Sequence, residues 1–218
     1  MIRLIDLTKT YRMSGVVKTV IRNATLTFPS RTSVGLLGRN GAGKSTLLKM
    51  IAGTQDPTSG QIEISGSISW PVGFAGSFHP DLTGAQNCRY VARIYGVDCE
   101  ELVAFTQEFA QLGQHFNLPF RTYSSGMRSR LAFGLSMGIP FDTYLVDEVT
   151  AVGDAAFRNR SNEVFRKRMD NAGAIVVNHS MGAIRELCSA VAVLDAGVLT
   201  YFEDVEEGIR WYEKRILS

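Results

Sequence analysis

The stretch Gly38-Arg39-Asn40-Gly41-Ala42-Gly43-Lys44-Ser45-Thr46 constrains this chain more than any other. It fits the pattern G-x-x-x-x-G-K-[ST] and lies between two segments of different period. Before it, Ser33 to Leu37 is a short apolar run that reads as a buried strand. After it, Lys44 to Ala52 has helical spacing, with Leu47, Leu48 and Ile51 on one side and Gly53 closing the helix. A strand that turns through glycines into a helix turns successive backbone N–H groups inward and adds the positive end of the helix dipole. That arrangement holds a polyphosphate: glycine permits its close approach, Lys44 reaches the β- and γ-phosphates, and the Ser45 hydroxyl is offered to Mg²⁺.

Such a cradle needs a metal anchor and a group that acts on water. Tyr144-Leu145-Val146-Asp147-Glu148 is an apolar strand ending in two acids. Asp147 is placed to hold the Mg²⁺ shell, and Glu148, one residue on, to orient or deprotonate the attacking water. His179 follows the apolar run Ile175-Val176-Val177 and stands at another strand's carboxyl end, where open α/β sheets gather ligand groups.

The remaining pattern fits an α/β chain. Strand-like alternation covers Met1 to Leu7, Val20 to Phe28 and, broken at Gly66, Gln61 to Trp70. A helical stretch runs from about Leu82 to Gly138: one helix capped by Thr83, then Glu100 to Leu112 and Ser129 to Met137. Strand runs at Tyr144 to Val146, Ala174 to Val177 and Val191 to Leu194 alternate with helical patterns, which argues for a parallel sheet covered by helices. The whole is expected to be one domain over residues 1–218, with a helical subdomain at about 82–138.

The order of these motifs resembles the nucleotide-binding domains of ABC transporters, and the resemblance covers nearly the whole chain. It implies a P-loop ATPase with a RecA-like core, an antiparallel β subdomain and an α-helical subdomain. In that family a short motif at the start of a helix binds the γ-phosphate of ATP held by the other subunit. The matching residues are Tyr123-Ser124-Ser125-Gly126-Met127; Ser124 and Gly126 keep the usual Leu-Ser-Gly-Gly-Gln form, and the other three depart from it. The same Ser-Gly stretch also serves as an ordinary N-cap. By resemblance Tyr11 stacks on adenine, Asp154 in Thr150-Ala151-Val152-Gly153-Asp154 acts across a dimer, and His179 contacts the γ-phosphate. One family feature is missing: no Gln stands between Gln61 and Gln86, where a metal-sensing glutamine is usual, and His79 or a backbone carbonyl are the candidates to replace it.

Gly73-Phe74, Phe78-His79-Pro80-Asp81-Leu82-Thr83-Gly84 and the Ser124 motif together resemble the polysaccharide-export branch, which exports capsular polysaccharide, O-antigen or teichoic acid, and within it the capsule exporters. O-antigen relatives often carry an added carbohydrate-binding domain, for which a chain ending at Ser218 leaves no room. The resemblance implies a homodimer of ATPase subunits, each using ATP and Mg²⁺, acting on transmembrane permease subunits. The longest apolar runs, such as Ala190 to Leu194, fall far short of the ~20 residues of a membrane span. Attachment to the cytoplasmic face of the membrane is therefore expected through the partner alone. A soluble ABC-type ATPase acting on nucleic acid or ribosomes is the main rival. Its coiled-coil insert or second cassette does not fit in 218 residues, and a net charge of +2 gives no nucleic-acid footprint. The ATPase of another ABC importer or exporter would use the same chemistry. Neither a P-loop kinase nor a binding module accounts for the Ser124 motif and the acids together.

Overall fold

The computed structural model describes residues 1–13, 15–73, 76, 78–147 and 155–217. They divide into two compact units, residues 1–69, 141–147 and 169–217 forming the first and residues 70–140 and 155–168 the second.

Two sheets lie mainly in the first unit. One is antiparallel, in the order β2-β1-β4, from β1 (Ile2–Met13), β2 (Val16–Phe28) and β4 (Ser59–Ile64). Ile2, Leu4 and Leu7 of β1 are buried, as the alternation of the first residues requires. Both strands run further than the alternation predicts. Beyond Leu7 the register shifts between Leu7 and Lys9 and again between Lys9 and Thr10, and the hairpin continues to Met13↔Val16. Polar residues occupy both faces there, so no apolar alternation marks the extension; Thr10 and Thr19 instead meet through their hydroxyls at 3.0 Å.

The other sheet has the order β5-β6-β7-β3-β8-β9, with β3 (Ser33–Leu37), β5 (Ile68–Pro71), β6 (Thr143–Asp147), β7 (Gly173–Val177), β8 (Ala190–Asp195) and β9 (Val198–Phe202). β6, β7, β3 and β8 pair parallel, and every residue of β3 and β7 is buried, which is why both read as unbroken apolar runs. β9 returns antiparallel to β8 through Ala196 and Gly197, both at positive φ. The alternation broken at Gly66 proves to be two strands in different sheets. Just past the break, the Asp142 carboxylate accepts from the Ser67 N–H at 2.7 Å and the Ser67 hydroxyl at 2.9 Å, and Ser69 Oγ accepts from the Leu145 N–H at 2.9 Å.

Helix α1 (Lys44–Ile51) buries Leu47, Leu48, Met50 and Ile51 in a core shared by both sheets. It ends as expected at Gly53, whose φ of 70° lets the Thr54 N–H reach the Lys49 carbonyl at 2.9 Å and its own N–H reach Met50 at 3.1 Å. α6 (Met181–Leu187) and α7 (Val205–Tyr212) complete the unit. Ile209 is fully buried and Tyr212 nearly so, while Trp211 tilts against Phe202 at 5.7 Å between ring centroids. The C-terminal segment thus packs on its own unit.

The second unit is helical: α2 (Gly84–Tyr95), α3 (Cys99–Ala110), α4 (Ser125–Gly138) and most of α5 (Ala155–Met169). Thr83 caps α2 as the sequence predicts. Its hydroxyl accepts from the Gln86 N–H at 3.1 Å while the Gln86 side chain accepts from the Thr83 N–H at 2.9 Å. Asp98 caps α3 through the N–H groups of Glu100 and Glu101. Phe109 packs against Phe105, Phe133 and Phe157, with centroids 6.2, 5.4 and 5.2 Å away, and so ties α3, α4 and α5 together. Among the described residues, no helix is long and apolar enough to cross a membrane.

Candidate functional site

The ends of two parallel strands, β3 and β7, and the β1–β2 hairpin border the site. β3 ends at Leu37, and the chain passes through Gly38–Gly43 into α1. Gly38 is packed so closely on the Leu194 carbonyl that a Cβ would collide with that oxygen. Gly43 occupies the N-cap of α1 in a left-handed conformation, φ 114°, and no side chain caps the helix. No acidic residue occupies the first turn. The N–H groups at this helix end therefore have no competing side-chain acceptor, which is what an incoming anion needs. Within the loop, Ala42 N–H donates to the Arg39 carbonyl at 3.0 Å. Lys44 lays its ammonium back over the loop, donating to the carbonyls of Gly38 at 2.7 Å and Arg39 at 3.2 Å. Arg39, Asn40, Gly41 and Ser45 are exposed; Ala42, Gly43, Lys44 and Thr46 are half-buried.

A cavity of about 950 Å³ opens over this loop, lined by Tyr11, Val16, Lys18, Val20, Asn40, Gly41, Gly43, Lys44, Ser45, Thr46, Val177 and His179. Its volume lies at the upper end of that of small-molecule sites. One wall is the β1–β2 hairpin, the floor is the glycine loop, and His179 stands beyond the end of β7. Of the residues singled out in the sequence, Tyr11, His179 and Asn40, Gly41, Gly43, Lys44, Ser45 and Thr46 of the loop line this one cavity. Asp147 ends β6 level with Val177 of β7, at the same carboxyl edge of the sheet, but is not among the cavity's lining residues. Glu148 and Asp154 lie outside the described residues, as do Phe74 and residues 150–153 of the expected family loops.

Ser124 and Gly126 belong to the helical unit. Ser124 is the N-cap of α4, its hydroxyl accepting from the Met127 N–H at 3.3 Å. The space above Gly126 is open. His79 has a local role: its Nδ1 accepts from the Asp81 N–H at 3.2 Å, and the buried Asn87 holds its N–H and carbonyl at 2.9 and 3.2 Å.

Tyr11 faces Lys18 across the hairpin. Its hydroxyl lies 3.3 Å from Thr46 Oγ1 and accepts from Gln55 Nε2 at 2.6 Å. The contact with Thr46 leads in holding the phenol below its ordinary pKa; partial burial opposes it, and Gln55, Lys9 and Lys49 add to it. Sequence reasoning missed Gln55, Val16, Lys18 and Val20. The hairpin's extension past Leu7 brings Val16 and Lys18 to the cavity, and no apolar period announces it, whereas Val20 opens the alternation the sequence shows.

Comparison with known proteins bears on what this arrangement is. The family model described as ABC transporter matches residues 21–151. The chain belongs to the ABC transporter family. Among its ABC relatives, the polysialic acid transport ATP-binding protein KpsT of Escherichia coli is 46% identical over 98% of this chain and 96% of its own. The ATP-binding protein BexA of Haemophilus influenzae is 44% identical over 98% and 99%. The capsule polysaccharide export ATP-binding protein CtrD of Neisseria meningitidis serogroup B is 43% identical over 97% and 98%. An ATP-binding cassette solved as a dimer in a post-hydrolysis state with ADP and Pi superposes with a TM-score of 0.81 over 94% of this chain and 99% of its own, at 22% identity. At that identity the likeness speaks for the ABC cassette fold alone.

Proposed function

We propose that this chain is the ATP-hydrolysing subunit of an exporter that moves a capsular polysaccharide across the cytoplasmic membrane. It works as a homodimer bound to transmembrane permease subunits at the cytoplasmic face. End-to-end identity of 43–46% with KpsT, BexA and CtrD carries the reading, against 39% over 82% of this chain for the O-antigen export protein RfbB of Myxococcus xanthus.

The residues at the cavity fit a nucleotide. The uncapped end of α1 and the loop N–H groups receive the β- and γ-phosphates, and Lys44 leaves the Gly38 and Arg39 carbonyls to pair with them. The hairpin wall with Tyr11 takes the base. Ser45 and Asp147 would hold Mg²⁺, which when bound neutralises charge on the phosphates. Glu148 takes the proton of the attacking water, and His179 holds the γ-phosphate from the next strand end. Ser124 and Gly126 of the second copy close over the same phosphate, and Asp154 acts across the dimer. ATP therefore favours the closed pair through contacts that exist only there. Hydrolysis removes those contacts, and the opening works on the permease.

Isolation of the protein from native membranes, with mass spectrometry of what comes with it, tests this. Recovery of a permease and an anionic glycolipid is expected; recovery of ribosomes or DNA with no membrane partner would sink the exporter reading and leave the ATPase. The Glu148→Gln variant tests the chemistry. It is expected to bind ATP, lose turnover by a factor of about 10² to 10⁴ and elute as a dimer in ATP. Normal turnover would remove Glu148 from the role of base.

A further inference from the structure

Tyr11 reaches the cavity from an exposed hairpin, yet its hydroxyl is held from two directions. Gln55 Nε2 donates to it at 2.6 Å, and Thr46 Oγ1 lies 3.3 Å away. The three side chains are half-buried and come from β1, from α1 and from the turn that follows α1. An amide nitrogen only donates, so the tyrosine oxygen accepts from Gln55, while in the contact with Thr46 either hydroxyl can be the donor. Tyr11 and Thr46 line the cavity, whereas Gln55 stands behind them and is not part of its lining. The glycine turn at Gly53 fixes Thr54 back onto Lys49 at 2.9 Å, and so fixes where Gln55 begins.

We propose that Gln55 is a positioning residue for recognition of the nucleobase, acting through the Tyr11 hydroxyl. The ring packs at the edge of the core with the Lys9 ammonium 5.4 Å from its centroid, and the hydroxyl contacts remove freedom that would otherwise be lost when a base stacks on it. With its hydroxyl tied to both ends of the α1 region, the ring is already set at the rim of the cavity. The same hydrogen-bond chain ends on Thr46, next to Ser45, so the base end and the phosphate end of the cavity share one rigid link. The proposal rests on the nucleotide reading above and adds to it a side chain that never touches the ligand.

The experiment compares dissociation constants of the wild type, Gln55→Leu, Tyr11→Phe and the double variant, for ATP and for inorganic tripolyphosphate. Losing one such hydrogen bond is expected to weaken ATP binding about five-fold in Gln55→Leu and leave tripolyphosphate binding unchanged. Tyr11→Phe keeps the ring and is expected to lose about as much or more, and the double variant is expected to bind no worse than Tyr11→Phe alone. Tyr11→Phe also tests the hydroxyl without touching the turn that carries Gln55. Unchanged ATP binding in Gln55→Leu, an equal loss for tripolyphosphate, or additive losses in the double variant would each overturn the positioning role. A wild type that binds no ATP would overturn the nucleotide reading as well, whereas a wild type that binds ATP beside an indifferent Gln55→Leu removes this proposal alone.

Discussion

Lys44 makes two hydrogen bonds to loop carbonyls with a charged donor. Lys44→Ala is expected to weaken ATP binding roughly 10- to 100-fold, the worth of a charge-assisted hydrogen bond, as read by titration calorimetry. At this scale the legible residues were those whose chemistry needs neighbours in sequence. The glycine loop, Lys44 and Ser45 form a contiguous pattern, and Asp147 and His179 sit at the ends of apolar runs. Gln55 had no such signal, because only the folded hairpin brings the Tyr11 hydroxyl to its side chain. His79, a candidate for the missing glutamine, spends its ring on a turn that Asn87 also braces.

Element boundaries depend on single polar groups. Ser124 caps α4, and the family resemblance gives it a second duty toward the other copy's nucleotide. Ser124→Ala is expected to cost about 1 kcal/mol of stability in denaturant titrations through the lost cap. If the second duty is real, it also weakens ATP-driven dimerisation in gel filtration; Ser124→Asp, which caps a helix equally well, would restore the first property and not the second. At the junction between β4 and β5, the Ser67 N–H leads in holding the Asp142 carboxyl below its usual range, and the Ser67 hydroxyl adds to it. A carboxyl with a depressed folded pKa contributes its stability fully above the unfolded value, near about 4, and loses it as the pH falls through the folded one. The stability gap between wild type and Asp142→Asn, measured by chemical denaturation, should therefore narrow as the pH drops below about 4. A gap constant through that range would show that the ionised form contributes nothing. The alternation from Gln61 to Trp70 showed this junction as a break at Gly66 and not as a change of sheet, since a strand's hydrogen-bonding partner leaves no mark on its period.

For the molecule as a whole, the parallel sheet was legible because β3, β6, β7 and β8 are buried on both faces and read as apolar runs. β9 was not, since its residues are only half-buried and pair with one neighbour. The segment after it packs against β8 through α7, with Ile209 fully buried. Ile209→Ala is expected to destabilise the protein by about 2–5 kcal/mol, checked by its denaturation midpoint; a shift within error would mean that α7 is an ornament on the first unit. The first unit is assembled from three separate lengths of chain, and its central strand shows what that entails during synthesis. Val34 of β3 pairs with Ile175 and Ala190, so when β3 leaves the ribosome neither neighbour yet exists. The helical residues 84–138 emerge as one continuous run and can settle locally while β3 waits as an unpaired apolar strand. The glycine loop hangs from β3 and leans on Leu194 of β8, so the feature most easily read in the sequence is among the last to acquire its shape. Until the segments holding Ile175 and Ala190 have been made, the protection of that apolar strand falls to whatever else the nascent chain meets.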